Sequence, residues 1–527
     1  MFAETQHSRV PGFLLRLGSD LHWRTTPSTV QTELLFAPGQ PCDPERLAET
    51  ARLLRAQSFI RSATITPTAA PGDSVDLTVR TLDDWALRGE AKIEGGGRNG
   101  PLRRLRLGDE NLFGRGLRAQ FRLNTEGRIP GFDADVSTHE FFGRHDADVL
   151  FGNSGVGLVA QQLVLRPFSS EFDRFAWREV SGYRKEPFYF QSPALGSVVL
   201  PMVTTGADLG VAGRFGQPGG LAVVGGLLSY ERLFPEGSAF ASLPEDDSIA
   251  AQALQGRYTE QRRVRAHILL GARTLKFVQR THLDAVNAVE DIRLGFEGGV
   301  IAGKSLFGGD GLQHDEFGSV ELYAGAAPGN RTLVFLRGKW EGRWLETEHV
   351  WDNVIGSADL IAYRMTSPTT TYVAGVSAAG GWNTSNPFQL TLGALNGIRG
   401  YGSAAFPVGQ RVVFHASRRH FAGVLFGAID VGTTLFADVG QGWAGDVPFG
   451  TNTDVVGSLG GGLRLAFPSG SRVTYRIDLA VPVRNGHGVQ LLVGVGQQFG
   501  VSRGEADDVT RSREQVSSVT LFNFPRF

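Results

Sequence analysis

The stretch "SRVTYRIDLAV" (Ser471–Val481) alternates without a break. Val473, Tyr475, Ile477, Leu479 and Val481 share one side; Thr474, Arg476, Asp478 and Ala480 share the other. A period of two belongs to an extended strand, whose successive side chains point to opposite faces. The polar face here carries an arginine and an aspartate in mid-strand, which a soluble β-sandwich, with its apolar face turned inward, seldom does. Neighbouring stretches repeat the pattern. "GVQLLVGVGQQF" sets Val489, Leu491, Val493, Val495 and Phe499 against Gln490, Gly494, Gly496 and Gln498. "LRAQFRLN" sets Leu117, Ala119, Phe121 and Leu123 against Arg118, Gln120, Arg122 and Asn124.

Segments of about 9–11 residues are what a tilted strand needs to cross a bilayer. One apolar face backed by a charged one suits a barrel with lipid outside and a polar lumen. The expected fold is therefore mostly β: an antiparallel transmembrane β-barrel over 85–500, with a soluble all-β array as the competitor. Roughly 415 residues at about 26 per strand predict an even count of ~16 strands. The strand ending at Phe499 is expected to close the ring against one near 88–96, leaving the tail 501–527 outside the wall.

Composition narrows the function. A net charge of −1 offers no basic face for nucleic acid. The single Cys42 excludes an internal disulfide, and no Cys/His cluster has metal-ligand spacing, so neither a metal nor another cofactor is expected. The 70 glycines in 527 residues are about twice the usual ~7% share and form no collagen period, so they serve turns and strands. No apolar run reaches the ~18 residues of a membrane helix. The opening "MFAETQHSRVPGFLLRLG" has too short an apolar core, "FLL", for an export signal. Taken alone that reads as cytoplasmic; the strand pattern argues for export, with the signal removed or the start truncated.

Before the barrel, 1–27 is an N-terminal segment and 28–84 reads as a small α/β module. "TVQTELLF" (Thr29–Phe36) has the look of a strand. Asp43 caps a helix with Pro44 at its first turn, and Leu47, Ala51 and Leu54 recur at helical spacing. "RSATITPTA" and "DSVDLTVRT" read as two strands around the turn "APGD".

One stretch is explained by neither turn nor strand chemistry: "LNGIRGYGS" (Leu395–Ser403) puts an arginine between Ile398 and Gly400, followed by Tyr401. "IRGY" (Ile398–Tyr401) resembles the Arg-Gly-Tyr motif of the bacterial surface-antigen superfamily, the outer-membrane barrels of BamA, TamA and FhaC type. "DENLFGRG" (Asp109–Gly116) resembles the family's early hairpin, and "LFADVGQGW" (Leu435–Trp443) its Phe-x-Asp-x-Gly strand. "GGGLRLAFP" and "YRIDLAVPV" resemble its paired final strands. The module with "LLFAPGQPCDPERLAETARLLRAQSFI" and "VDLTVRTLDDW" is similar to a polypeptide-transport-associated (POTRA) domain.

The resemblance implies that the Arg-Gly-Tyr loop folds back into the lumen. There a guanidinium needs a carboxylate partner. Leu435, Ala437 and Val439 share the apolar face, so parity aims Asp438 inward. The matching motifs propose Arg399 and Asp438 as a pair in a partly wet lumen, with Gly400 allowing the turn and Tyr401 packing on the inner wall. Arg464, Arg476 and Asp478 would extend the network. The competing reading of Arg399 is a solvated loop arginine.

Three departures from the family pattern bear on function: one POTRA-like module where relatives carry more, a tail beyond Phe499, and the missing export signal. The tail reads as a periplasmic extension, with Val516–Phe524 as a competing last strand. Enzymatic signals are weak. Ser377 in "GVSAAG" lacks the second glycine of a nucleophile elbow, and "GGDGLQHDE" (Gly308–Glu316) is one unrepeated acidic turn. No lipase-like domain precedes the barrel. The resemblance implies a non-enzymatic translocase or insertase in the bacterial outer membrane. Its partners would be membrane lipids and, through the POTRA-like domain in the periplasm, unfolded client proteins or periplasmic chaperones. The alternative is a passive pore or lipid-handling barrel.

Overall fold

The computed structural model describes residues 23–93, 102–125, 130–241, 254–306, 312–394, 396–484, 486 and 488–513. The N-terminal reading needs one correction. "TVQTELLF" does not form a strand; Pro27–Thr32 is a helix, with Thr26 as its N-cap and Pro27 in the first turn. Val30 and Leu34, four residues apart, pack on a cluster of Leu54, Phe59, Ile60 and Ala63. Burial at helical spacing overrode the β-prone composition.

The helix Pro44–Ala56 starts where Asp43 accepts from the Glu45 and Arg46 backbone N–H groups. Of its expected inner face, Leu54 is buried, whereas Leu47 and Ala51 are half-buried; Thr50 and Leu53 take the inner positions. The strands Ile60–Ala70 and Ser74–Asp83 follow as an antiparallel hairpin.

From Leu87 onward the chain is a closed antiparallel barrel in which strands pair in sequence order, and Gln490–Val495 returns beside Leu87–Ile93. Twenty wall strands stand among the described residues, not ~16. The spacing assumed from sequence was too generous. Six strands fit between Leu87 and Arg166, most of them 7–9 residues long. Long strands such as Gly196–Gln217, at 22 residues, come only later.

Parity holds around the ring. Phe121, Phe151, Leu209, Ile268, Leu435, Leu479, Leu491 and Val493 are exposed on the outside. The inward positions are charged and buried, as with Arg265, Asp315, Arg343 and Asp478. Pairs such as Arg118–Asp135 at 2.7 Å and Arg122–Asp133 at 2.5 Å tie neighbouring strands across that inner face.

The N-terminal module sits on one mouth of the barrel. Thr26 N donates to Gly114 O at 2.8 Å, Arg144 Nη2 to Leu34 O at 2.9 Å and Arg61 Nη1 to Ser469 O at 2.8 Å. Arg472 Nη2 caps Gln57 O at 2.6 Å, and Ser471 Oγ donates to Asp84 at 2.8 Å. Arg52 lies on the Phe277 ring at 4.4 Å and pairs with Glu49 at 2.6 Å. Burial works against its charge, but Glu49, Glu171 and Asp291 outweigh that and hold the guanidinium above its ordinary value.

Two further readings are corrected inside the ring. The last wall strand ends at Val495, and Phe499 turns inward onto Tyr363, Phe335 and Leu283 instead of continuing the outer face. The tail does not hang outside: residues 497–513 run through the lumen, with a short helix at Asp507–Thr510. The competing strand Val516–Phe524 lies outside the described residues.

Candidate functional site

The residues Asn383–Gly409 connect two wall strands, Thr370–Trp382 and Gln410–Leu425, at the mouth opposite the module. They fold into the barrel instead of over it. Leu390–Thr391 pairs with Pro407–Val408, and Leu392, Ile398, Tyr401 and Val413 form a buried cluster with Val456. Within the loop, Leu392 O accepts from Ile398 N at 3.0 Å, which forms a compact turn that projects the next side chain at the wall. Gly400 lies at φ +93, a region L side chains rarely adopt, and a Cβ there would sit 3.2 Å from Ser458 Cβ and Pro482 N. Tyr401 Oη donates to Gly457 O at 3.0 Å on the wall.

Arg399 therefore points at the strand Ile429–Trp443. Its Nε donates to Asp438 Oδ2 at 2.8 Å, and its Nη2 to Asp438 Oδ1 at 2.9 Å. This is the two-pronged geometry that a planar guanidinium offers a carboxylate. Both side chains are 2% exposed, so the pair is shielded from bulk solvent. The Arg399 guanidinium also lies over the Phe436 ring at 3.3 Å. Phe436 and Asp438 share the inward face of one strand, so one wall segment supplies both the ring below the cation and the anion beside it.

The neighbouring charges complete the set. Asp478 Oδ2 stands 3.4 Å from Arg399 Nη1, and Asp478 Oδ1 accepts from Arg464 Nη1 at 2.6 Å. Arg476 Nε lies 3.8 Å from Asp478, and its Nη1 donates to Gln498 Oε1 at 2.5 Å. A Cβ on Gly462, the residue opposite Asp478, would fall 2.1 Å from that carboxylate. The glycine opens the wall for the charge. All eight residues singled out in the sequence, Ile398, Arg399, Gly400, Tyr401, Asp438, Arg464, Arg476 and Asp478, meet within this one lumenal region.

Sequence reasoning missed three participants. His415 sits opposite Asp438 in the ladder, with Nδ1 at 2.5 Å from Oδ1, and its ring lies 4.9 Å from that of Phe499. The alternation in "RVVFHASRRHF" puts His415 on the same face as Arg411 and Arg419, but not which strand it faces. Phe436 was readable from the parity that gave Asp438. Asp284 had no such signal: it lies in the turn 281–289, which also bends inward. Its carboxylate accepts from Tyr363 Oη at 2.8 Å, Arg419 Nη1 at 2.8 Å and Ser502 N at 2.7 Å.

Between the Arg399 loop and the tail lies a cavity of only about 40 Å³, touched by His415, Asp438, Phe499 and Arg503. It has room for a few waters at most. Among the described residues no group of three or more His, Cys, Asp or Glu side chains is arranged to hold a metal ion. The site holds a loop to a wall, and His415 extends it to Ser417, whose Oγ lies 3.2 Å from His415 Nε2.

No family model matches the chain, and no curated protein matches it in sequence. Among solved structures, it is similar to CdiB from Escherichia coli at 12% identity and a TM-score of 0.42, over 91% of this chain and 74% of that one. The BamA structure from Haemophilus ducreyi lacking POTRA domains 1–3 is similar at 12% identity and 0.38, over 91% and 82%. CdiB from Acinetobacter baumannii is similar at 11% and 0.36, over 90% and 71%. Likenesses this distant concern fold alone, so the chemistry of the site rests on its own residues.

Proposed function

We propose that this chain is a bacterial outer-membrane barrel that inserts or translocates client polypeptides, with the N-terminal module on the periplasmic side receiving them. The observation that carries the reading is the inward loop held through Arg399 and Asp438. A passive pore gains nothing from a buried two-pronged ion pair that fastens a loop across its own lumen. A gated conduit needs such a latch, because leakage must be prevented between substrates. The apolar exterior supports the membrane assignment, since a wall of exposed Phe, Leu, Ile and Val suits hydrocarbon. In the module, the strand Ser74–Asp83 has one neighbour in its two-stranded sheet and is largely exposed, an edge to which an extended segment can add.

Depletion of the protein in its native bacterium, with the outer-membrane and secreted proteomes counted, tests the reading. Loss of particular barrel or secreted proteins while small-solute uptake is unchanged is the expected result. Slowed solute uptake with an intact proteome would instead establish the passive pore.

A further inference from the structure

A ring of this width should enclose water. Barrels of 16–18 strands leave an aqueous channel, and wider ones stay closed only when something fills them. Here the Arg399 loop, the turn 281–289 and the tail 497–513 share the interior. The tail differs from the other two because, among the described residues, it leaves the wall at Val495 and joins no wall strand again through Arg513.

Its seat is built along the wall. At the module end, Val501 N donates to Tyr363 Oη at 2.7 Å and Ser502 N to Asp284 at 2.7 Å. Farther on, Glu505 accepts from Ser357 Oγ, and the backbone of Thr391 donates to Asp508 Oδ2 at 3.1 Å. Arg411 forms a two-pronged pair with Asp508, with Nη2 to Oδ1 at 2.9 Å. At the far end Arg513 donates to Glu505 at 2.7 Å, Glu341 at 3.1 Å and the Lys339 carbonyl at 3.1 Å. From Tyr363 to Ile355 this seat follows about 26 Å of one wall strand at ~3.3 Å per residue. With strands tilted by about 35–45°, that rises roughly 18–22 Å along the barrel axis, most of the ~25 Å apolar band of an outer-membrane barrel.

The composition of the contact is as telling as its length. Val509 packs with Ile355, Phe388 and Val408, but most of the seat is ion pairs and hydrogen bonds on a polar wall. Such a segment can leave into water, where its charges are solvated again, whereas a greasy core segment cannot. The thread is also continuous with the Arg399 loop: Asp508 holds Thr391 of that loop, and Gln498 Nε2 donates to Ala394 O at 3.0 Å.

We propose that residues 501–513 are a tethered plug, seated on the wall by the Arg411–Asp508 and Arg513–Glu341 pairs, whose departure opens the barrel. The inference goes beyond client handling and does not depend on it, because an opened lumen would conduct small ions whatever the client.

Conductance in planar bilayers tests it. The full chain should be closed for most of the record. Truncation after Gly500, which keeps Phe499 and the whole wall, should raise the time-averaged conductance at least tenfold. If that chain does not assemble, a charge swap decides. Arg411→Asp alone should open the barrel, and Arg411→Asp with Asp508→Arg should close it again. In a Cys42→Ser background, Ser357→Cys with Glu505→Cys should lock it shut until reductant is added. A full chain as conductive as the truncated one, an assembled truncation that stays closed, or a swap that fails to reclose would each overturn the proposal.

Discussion

Arg55, near the end of the helix Pro44–Ala56, meets Asp291 at the barrel mouth through two parallel hydrogen bonds, Nε to Oδ2 at 2.8 Å and Nη2 to Oδ1 at 2.9 Å. The two residues are 236 positions apart, and the pair fastens the module to a wall strand. Both side chains are under a fifth exposed, so solvent screening is partial. Arg55→Ala should weaken docking by about 1.5–3 kcal/mol, the range for hydrogen bonds to charged groups. Hydrogen exchange should then show faster exchange in the helix while the wall strands keep their protection. Unchanged exchange in both would mean that the pair does not hold the module.

Inside the module, Leu54 is fully buried against Phe59, Ile60 and Ala63. Leu54→Ala should cost ~2–5 kcal/mol of local stability, because the small cluster cannot collapse fully into the space. Limited proteolysis of the module within the full chain reads this directly. Cleavage no faster than in the parent would contradict the packing described.

The Arg399–Asp438 pair is buried, so removing one partner strands a buried charge at a cost on the order of 3–5 kcal/mol. Arg399→Ala and Asp438→Ala should each loosen the inward loop while the ring still assembles. The double variant should be no worse than the more damaging single, since the coupling is already lost. Chymotrypsin cleavage after Tyr401 gives the measure, since Arg399→Ala removes the loop's own trypsin site. Strictly additive effects would show that the two residues act separately.

The outer face can be tested by depth. Leu479 lies mid-strand and outward, whereas Val483 stands just past the strand end at Pro482. Leu479→Arg should cost about 2–4 kcal/mol in a bilayer and Val483→Arg only ~0–1. Urea titration of vesicle-embedded protein compares them. Equal costs would be incompatible with a bilayer around this band. Thr474 is not the tolerant inward control its parity suggests, because at 2% exposure it sits in a packed interior with no room for a charge.

Gly400 should refuse a side chain. Gly400→Ala combines a positive φ with a close approach to Ser458 and Pro482, at a cost of about 1–3 kcal/mol. The loop should shift and Arg399 lose its register with Asp438, giving the loosened phenotype of Arg399→Ala. A variant with the parent's loop protection would show that the backbone there has freedom to spare.

Sequence alone determined whatever depends on local period. Alternation in "YRIDLAVP" and "LFADVGQGW" fixes which residues face out, because each Cβ direction follows from its neighbour along the strand. The cap at Asp43 and the helix after it were legible for the same reason: a side chain three residues away decides them. Tertiary structure decided what depends on closure. The strand count followed from turn lengths, and the helix at Pro27–Thr32 from a hydrophobic cluster assembled by residues beyond it. His415 and Asp284 join the lumenal network only because distant strands and a turn converge there. The inward turn of Phe499 and the tail behind it carries the same lesson. Nothing within a few residues of Gly500 announces it, because the charges that seat the tail, Arg411 and Glu341, lie 97 and 172 positions from their partners.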